Sequence, residues 1–347
     1  MDTTAHPAGV DVASVERWFA TEVPQAEPPF TYELIAGGHS NLTYRVTDAT
    51  GARFVLRRPP LNSVLATAHD MGREWRAIHA LQDTPVPVAP ALGFCPDPEV
   101  TGAPFYVMGF VDGVVQHTIE QTLTLSPEQR RISGESLFDV LADLHAVDID
   151  AVGLSEHGPR SGFIERTIRR WYKQYQASVT REVPDVDAAY EGLLARLPQE
   201  TELTIAHGDY RLGNCITSFE GPIAAVLDWE ISTLGDPLAE LSYVCMLWRT
   251  PKDWGGLEGH DLASLGLPGE QEVIRYYCEL AKRPLPEPKL WEFYMAYNLF
   301  RVSCIRQGVY ARSLDGTASN VRAAESGKLV KPAADLAWTL VERMGAR

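Results

Sequence analysis

The chain has 347 residues, of which 45% are hydrophobic and 22% charged, a composition typical of a globular protein with a substantial core. Its formal net charge of −15 argues against a general binder of nucleic acids or anionic membranes, because both partners require a basic surface. The five cysteines form no C-x-x-C pair, so we expect buried thiols in a cytoplasmic protein. We expect no signal peptide and no transmembrane segment, since no apolar run is long enough.

The first 112 residues predict a small, mostly antiparallel sheet accompanied by helices. Apolar residues at helical spacing predict helices over residues 11–20 and 69–81. The prolines of residues 85–90 predict an extended linker. Strand patterns cover residues 32–46, which turn at Gly37-Gly38, residues 53–57 and residues 104–111.

The rest of the chain, residues 113–347, has a mainly helical pattern. Short strands with polar ends interrupt it after residue 200. This change of character predicts a domain boundary near residue 112 and an α+β fold class, with lobes of residues 1–112 and 113–347. The predicted helices cover residues 127–147, 162–180, 186–197, 237–249, 269–282, 288–308 and 332–345.

The segment from His207 to Asn214, His-Gly-Asp-Tyr-Arg-Leu-Gly-Asn, is the most informative of the chain. Asp209 stands five residues before Asn214, and Asp228 follows the apolar run of residues 223–227. Phosphoryl transfer needs such a set: one carboxylate accepts a proton, while an amide oxygen and a second carboxylate hold magnesium. In isolation, a turn with side chains bonded to their own backbone would explain Asp209 and Asn214 equally well.

Together with Asp228-Trp-Glu230, this motif resembles the catalytic and metal-binding segments of the aminoglycoside phosphotransferase family, which shares its fold with protein and choline kinases. The chain is most similar to a bacterial branch of that family and to the kinase-like domains of some acyl-CoA dehydrogenase fusions. The resemblance implies a bilobal protein-kinase-like fold, with a nucleotide-binding β lobe and a helical catalytic lobe. Further blocks with the same pattern are residues 54–60, 66–70, 102–108 and 300–308.

The resemblance implies that Asp209 is the catalytic base and that Asn214 and Asp228 ligate Mg²⁺. Arg211 corresponds to a cation near the γ-phosphate. His207 would anchor the catalytic loop, and Asp236 would accept backbone N–H bonds from that loop. Glu230 is either a metal contact through water or a structural residue.

For the nucleotide, the resemblance implies a glycine-rich loop over the phosphates and a hinge near residues 108–113. Arg57 stands where kinases usually carry lysine, with Glu74 as its expected ion-pair partner. The expected donor is ATP, with GTP as an alternative. Loop residues expected at the phosphates are Gly37, Gly38, Ser40 and Asn41, and adenine is expected beside Met108, at the backbone carbonyl of Gly109 and the N–H of Val111.

The expected function is therefore a Mg-dependent kinase that phosphorylates a hydroxyl group of a small molecule. The family suggests an aminoglycoside as acceptor, and a hydroxyacyl-CoA or another endogenous alcohol is the alternative. A nucleotide-binding pseudokinase that acts through a partner is the hypothesis from another class. The oligomeric state stays open. Residues expected around the acceptor are Trp171, Tyr172, Tyr175, Tyr297, Arg301 and Arg306.

Overall fold

The N-terminal part of the chain is built on a five-stranded antiparallel sheet in the order β1–β2–β3–β5–β4. The computed structural model describes residues 7–36, 41–61, 70–316 and 323–345. The strands are β1 (Thr31–Ala36), β2 (Leu42–Thr47), β3 (Arg53–Arg58), β4 (Ala91–Cys95) and β5 (Phe105–Gly109), and the helices beside them are α1 (Val12–Glu22) and α2 (Met71–Leu81).

Alternation along β3 divides its side chains between two hydrophobic environments. Phe54 and Leu56 pack with α1 on one face of the sheet. Val55 lies in a second, larger core that also contains Met108 of β5 and most buried residues of the helical part. Because successive side chains in a strand alternate, Arg57 lies on the face of Val55, toward the helical part. The larger core is continuous across residue 112, so the division into lobes at that residue stays a prediction.

The helical part is arranged around one long helix, α11. The helices are α3 (Pro98–Thr101), α4 (Ile119–Leu123), α5 (Pro127–Ala146), α6 (Phe163–Ser178), α7 (Pro184–Leu194), α8 (Pro237–Arg249), α9 (Leu262–Leu265), α10 (Glu270–Leu280), α11 (Pro288–Leu314) and α12 (Ala323–Arg343). α6, α7, α8 and α12 all pack against α11, whose residues between Trp291 and Cys304 are almost all buried. A helix enclosed in this way needs no polar face.

Five short strands hold the segments that carry the polar motifs. β7 (Thr204–Ala206) pairs with β10 (Thr233–Gly235), whereas β6 (Val114–Val115), β8 (Cys215–Thr217) and β9 (Ile223–Val226) form a three-stranded sheet. The chain therefore leaves β7 at Ala206, passes through the β8–β9 hairpin and returns beside its starting point in β10.

Arg73, near the start of α2, joins the N-terminal part to the helical part. Its Nε donates to the carbonyl oxygen of Ser232 over 3.0 Å, and its Nη2 donates to that of His157 over 2.6 Å. The carboxylate of Asp70 caps α2 by accepting from the N–H of Arg73 over 3.0 Å. Consequently, the first turn of α2 is bonded to the segment that follows Asp228.

The α+β prediction is confirmed, with the antiparallel sheet first and the helices after it. Several elements differ from the sequence prediction: the short elements α3, α4, α9, β6 and β10 were not predicted, and α11 continues to Leu314 rather than ending at residue 308. β4 was not predicted, and α12 was expected to begin at residue 332 but already includes Ala323. Pro332 lies inside α12, whose preceding turn buries Val330 in the core. Among the described residues, every helix is too short or too polar to cross a lipid bilayer.

Candidate active site

The loop after β7 is held by one buried carboxylate, that of Glu240 on α8. The N–H groups of His207 and Gly208 donate to its two oxygens over 2.9 and 2.6 Å. Gly208 has a φ of +87°, and a Cβ atom there would lie 3.0 Å from the carbonyl oxygen of Ile231. Glycine is therefore required immediately before Asp209, because a side chain would be both strained and crowded.

Glu240 is a charged group in the interior. Burial would raise its pKa, but hydrogen bonding by His145 and the N–H of Gly208, together with the His207 ring, lowers the pKa below its usual value. His145 on α5 contacts Glu240 over 3.3 Å and the hydroxyl group of Tyr277 over 2.5 Å. This histidine is fully partnered in the core, and it lies behind the loop.

Asp236 was predicted to accept hydrogen bonds from the N–H groups of the catalytic loop, and this prediction is wrong. Its carboxylate accepts from the N–H groups of Leu238 and Ala239 over 2.8 and 3.3 Å, and from the hydroxyl group of Tyr294 over 2.5 Å. An aspartate directly before a proline at the first helical position is a helix N-cap, and its short side chain reaches its own helix. Glu240, one turn later, is the residue that bonds the loop.

His207 connects the two motif segments to each other. Its Nε2 bonds the carbonyl oxygen of Leu227 over 2.7 Å, so this nitrogen carries the proton. Its Nδ1 therefore accepts from the N–H of Asp209 over 3.2 Å. The ring also packs against Trp229, with centroids 4.8 Å apart. The imidazole thus fixes Asp209 relative to the strand that leads to Asp228.

Asp209 is surrounded by hydrogen-bond donors but remains accessible, with 29% of its side chain exposed. Asn214 Nδ2 donates to Asp209 Oδ2 and to the Asp209 carbonyl oxygen, both over 2.8 Å. Arg211 Nε lies 3.4 Å from Oδ2. The hydroxyl group of Tyr243, on α8, donates to Oδ1. Both carboxylate oxygens are therefore fixed.

Asn214 and Asp228 lie close together because they flank the open end of the β8–β9 hairpin. The carbonyl oxygen of Asn214 accepts from the N–H of Leu227 over 2.8 Å, and Cys215 pairs with Val226. Asp228 then adopts a left-handed conformation, with a φ of 67°. This region is uncommon for a residue with a side chain, and such residues concentrate at functional sites.

Arg57 forms the predicted ion pair with Glu74 and a second one with Asp228. Its Nε lies 2.9 Å from Glu74, and its Nη2 lies 2.6 Å from Asp228. Glu74 is fully buried, and it also accepts from the hydroxyl group of Tyr106 over 2.9 Å and from Asn41 Nδ2 over 3.0 Å. A guanidinium group can bond two carboxylates at once through different nitrogens, which a single lysine nitrogen does less well.

Glu230 completes a cluster of acids with Glu74 and Asp228, in which carboxylate oxygens lie within 4.8 Å of one another. Burial, followed by repulsion from Asp228 and Glu74, raises the pKa of Glu230 to about 7. Its Oε2 atom is buried and has no hydrogen-bond partner among the described residues. Hard oxygen ligands and a buried, unpartnered carboxylate fit Mg²⁺, which Asp228, Glu230 and Asn214 would hold.

The expected nucleotide hinge follows β5, which contains the buried Met108. The N–H of Gly109 donates to the carbonyl oxygen of Pro90 over 2.8 Å, and a Cβ at Gly109 would lie 3.1 Å from the Pro90 ring. Within the described parts of the chain, the N–H of Val111 has no hydrogen-bond partner. Three predicted loop residues lie outside the described residues: Gly37, Gly38 and Ser40.

A cavity of about 1160 Å³ opens beside the Asp209 loop, between α4, α5, α8, α10 and α11. Arg211 and Tyr243 line it where it approaches Asp209, and Arg306 of α11 lines it nearby. Its walls are largely apolar, including Phe138, Leu212, Leu247, Trp248, Leu257 and Val302.

Of the six residues expected around the acceptor, only Arg306 lines this cavity. Tyr172 instead stacks on Tyr190, with ring centroids 3.7 Å apart, and donates to Asp187 over 2.7 Å. Arg301 packs over the rings of Trp171 and Tyr243 and donates to the carbonyl oxygen of Gly208. The other five lie outside this cavity: Trp171, Tyr172 and Tyr175 are on α6, which packs against α7 and α11, and Tyr297 and Arg301 are in the buried part of α11.

A sequence profile of the phosphotransferase enzyme family, abbreviated APH, matches residues 31–274, which include Arg57, the segment from His207 to Asn214, and Asp228. The chain belongs to this family. The family profile starts at β1 and ends within α10, so it spans both the sheet and the motif-bearing hairpins.

Solved structures named as phosphotransferases have the same fold. A Ralstonia eutropha protein provisionally named an aminoglycoside phosphotransferase is 35% identical, with a TM-score of 0.86, over 96% of this chain and 98% of that one. The aminoglycoside phosphotransferase APH(4)-Ia, solved with AMP-PNP and hygromycin B, is 18% identical with a TM-score of 0.61, over 96% and 99% of the two chains. The predicted bilobal, kinase-like fold is confirmed.

The curated relatives are longer proteins. Mouse acyl-CoA dehydrogenase family member 10 is 38% identical over 314 residues, which are 89% of this chain and 29% of that protein. Matches to family member 11 cover at most 44% of those proteins. The chain therefore spans less than half the length of the curated relatives it matches.

Two residues near the phosphotransferase motifs were not anticipated from the sequence as partners of the loop: Glu240 and Tyr243. Both lie on α8, three positions apart, and so share one face of the helix. Polar residues at that spacing on an otherwise apolar helix were the available signal. They contact the loop only through the tertiary fold, which no local motif describes.

Proposed function

We propose that this chain transfers the γ-phosphoryl group of Mg-ATP to a hydroxyl group of a small molecule. The observation that carries the proposal is the link between the polar residues. Asn214 bonds Asp209 through its side chain and pairs with Leu227, directly before Asp228, through its backbone. A proton acceptor and two magnesium ligands thereby meet beside a cavity large enough for an acceptor.

In the proposed reaction, Asp209 accepts the proton of the acceptor hydroxyl group as its oxygen bonds to phosphorus and ADP leaves. Asn214, Asp228 and Glu230 would hold Mg²⁺, and the bound metal would neutralise charge on the phosphates. Arg211 would contact the transferred phosphoryl group. The free N–H of Val111 suits an acceptor atom of adenine, and GTP stays the alternative donor.

The cavity favours an acceptor with a hydrocarbon part over an aminoglycoside. Its walls are mostly apolar, and the charged residues in its lining are four arginines and three glutamates: Arg130, Arg131, Arg211, Arg306, Glu120, Glu135 and Glu272. A polycation would require an excess of acids. The curated relatives are named acyl-CoA dehydrogenases, which supports hydroxyacyl thioesters as the first acceptors to test.

The pseudokinase hypothesis loses its two sequence arguments. Arg57 retains the ion pair with Glu74, and Gly109 has a packing reason to lack a side chain, since Pro90 lies against it. Neither residue therefore argues for lost activity. A protein that binds Mg-ATP without phosphorylating any alcohol would nevertheless support that hypothesis.

The test is a screen of the purified protein with Mg-ATP, read as ADP release and as acceptor mass. The acceptors are aminoglycosides, choline analogues, sugars and hydroxyacyl thioesters. We expect a mass gain of one phosphoryl group on an acceptor with an apolar chain, and a far slower gain with the Asp209→Asn variant. Nucleotide binding without transfer to any acceptor would contradict the proposal.

A further inference from the structure

Tyr243 reaches the expected base from outside the motif. It lies on α8, and its hydroxyl group donates to Asp209 Oδ1. Oδ2 accepts from Asn214 over 2.8 Å and faces Arg211 Nε at 3.4 Å. A carboxylate that is bonded through only one oxygen can still rotate, whereas donors on both oxygens fix its plane and its direction.

The surroundings of Tyr243 keep its hydroxyl group protonated and in place. Burial, followed by the negative charge of Asp209, raises the pKa of Tyr243 well above its usual value, so the phenol remains a donor near neutral pH. The Arg301 guanidinium group lies 5.0 Å from its ring centroid. Arg301 also donates to the carbonyl oxygen of Gly208, so the ring and the loop have a common support.

Tyr243 also lines the cavity beside Asp209, together with Arg211 and Arg306. An acceptor that enters this cavity therefore contacts the Tyr243 side chain, whose hydroxyl group is bonded to the Asp209 carboxylate. Asn214 donates to Oδ2 from the side of the β8–β9 hairpin, and Tyr243 donates to Oδ1. The Tyr243 bond therefore determines which side of the Asp209 carboxylate is left to accept from a substrate hydroxyl group.

We propose that Tyr243 is a positioning residue of the phosphotransfer reaction, whose hydroxyl group orients the Asp209 carboxylate toward an acceptor hydroxyl group in the cavity. This inference rests on the proposed function. Tyr243 keeps its own proton throughout. The acceptor proton passes to Asp209 while the acceptor oxygen bonds to phosphorus and the bridging bond to ADP breaks. Solvent then removes the proton from Asp209.

The experiment compares Tyr243→Phe with wild type, using an acceptor from the screen. A misoriented carboxylate should lower kcat by roughly 10- to 100-fold, because small errors of placement are costly in such reactions. The KM for Mg-ATP should stay within about twofold, since Tyr243 lies on the acceptor side. Mg-ATP affinity and thermal midpoint, measured on the same samples, establish that the variant is folded.

The matched control is Tyr172→Phe. This variant also loses a phenol–carboxylate hydrogen bond, of 2.7 Å to Asp187, but away from the cavity. Its kcat should equal that of wild type. If both variants lost activity equally, the effect of Tyr243→Phe would be general destabilisation and the proposal would be wrong.

A double-mutant cycle separates orientation of Asp209 from packing. In the Asp209→Asn background, adding Tyr243→Phe should change kcat by less than about twofold, because the carboxylate to be oriented is already gone. The same loss in both backgrounds, or wild-type kcat in Tyr243→Phe alone, would overturn the role of Tyr243 and leave the proposed function intact. Wild-type protein that phosphorylates no acceptor would overturn both.

Discussion

The two ends of the candidate site are stabilised in opposite ways. Around Asp209, the carboxylates have hydrogen-bond partners: Glu240 accepts from the loop, and Asn214 and Tyr243 donate to the two oxygens of the expected base. Around Asp228, three acids share one arginine, Arg57, and a buried oxygen of Glu230 has no partner.

This difference indicates which parts of the proposed reaction the polypeptide would supply without a ligand. The base end is preorganised by the protein, so its geometry does not depend on a ligand. The cluster places three carboxyl groups beside one arginine, so the proposed Mg²⁺ would supply further positive charge there. Variants at the base end should therefore lower turnover at any magnesium concentration, whereas variants in the cluster should change the magnesium requirement.

The largest expected effect is that of Asp209→Asn. Removing the base should lower turnover by roughly 10²–10⁴-fold, the usual contribution of a general base. Mg-ATP affinity should be nearly unchanged, because Asn214 and Asp228 remain. Single-turnover phosphorylation and isothermal titration measure the two quantities. Turnover near that of wild type would refute the assignment of the base.

The variant Glu240→Gln should have the next largest effect. An amide cannot accept both loop N–H groups as the carboxylate does, so we expect a loss of about 2–3 kcal/mol in the free energy of unfolding. Turnover should also fall, because the loop that carries Asp209 loses its support. Urea unfolding and kcat report the two effects.

Asp236→Asn is the control for Glu240→Gln. Asparagine is also a good N-cap, so the free energy of unfolding should change by no more than about 1 kcal/mol. The loop bonds to Glu240 remain, and kcat should be retained. A larger loss of turnover in Asp236→Asn than in Glu240→Gln would restore the original assignment of Asp236.

At the cluster end, Glu230→Gln tests the need for a cation. The magnesium concentration for half-maximal turnover should rise by about tenfold, as for the loss of a supporting ligand group. Without magnesium, the variant should be as stable as wild type or more so, because an unpartnered buried acid is removed. An unchanged magnesium requirement would exclude Glu230 from the metal site.

The smallest expected effect concerns His157, behind the segment that follows Asp228. Burial, and then Arg73 and Arg76, lower its pKa from 6.5 to about 4. The unfolded chain therefore binds a proton at a higher pH than the folded protein. Stability is fully present above the unfolded pKa and falls as pH decreases through it, by about 1 kcal/mol between about pH 7 and about pH 5.5.

The variant His157→Gln should lack this part of the pH dependence. Its amide can still donate to Ser232 Oγ, which His157 Nε2 contacts over 2.8 Å. Urea unfolding of both proteins at the two pH values measures the difference. Parallel losses in wild type and variant would show that His157 does not titrate as its burial requires.

Sequence reasoning identified the parts of the site that lie in short, contiguous motifs. Asp209, Asn214 and Asp228 could be found because fixed spacings in a loop and a hairpin bring them together locally. Glu240 and Tyr243 could not, because α8 reaches the loop only after packing on α11. Asp236 was misassigned for the related reason that its local role, capping a helix before Pro237, is satisfied without the loop.

Secondary structure that depends on tertiary contacts was likewise not predicted from the sequence. β3 and β5 were predicted because their apolar residues are continuous or alternate clearly. β4, with Gly93 in Ala-Leu-Gly-Phe-Cys, has a weak strand signal and is stabilised by pairing with β5. α12 continues past Pro332 because packing on α11 stabilises residues on both sides of the proline.

The bonds of Arg73 to Ser232 and His157 restrict how the cleft can open. Glu74 follows Arg73 in the same helical turn, and Ser232 follows Asp228 by four residues. Glu74 and Asp228 must therefore travel as one unit. A conformational change that separates α2 from Ser232 and His157 would first have to break these hydrogen bonds. For the proposed nucleotide cycle, we therefore expect opening by bending of the strands rather than by displacement of α2.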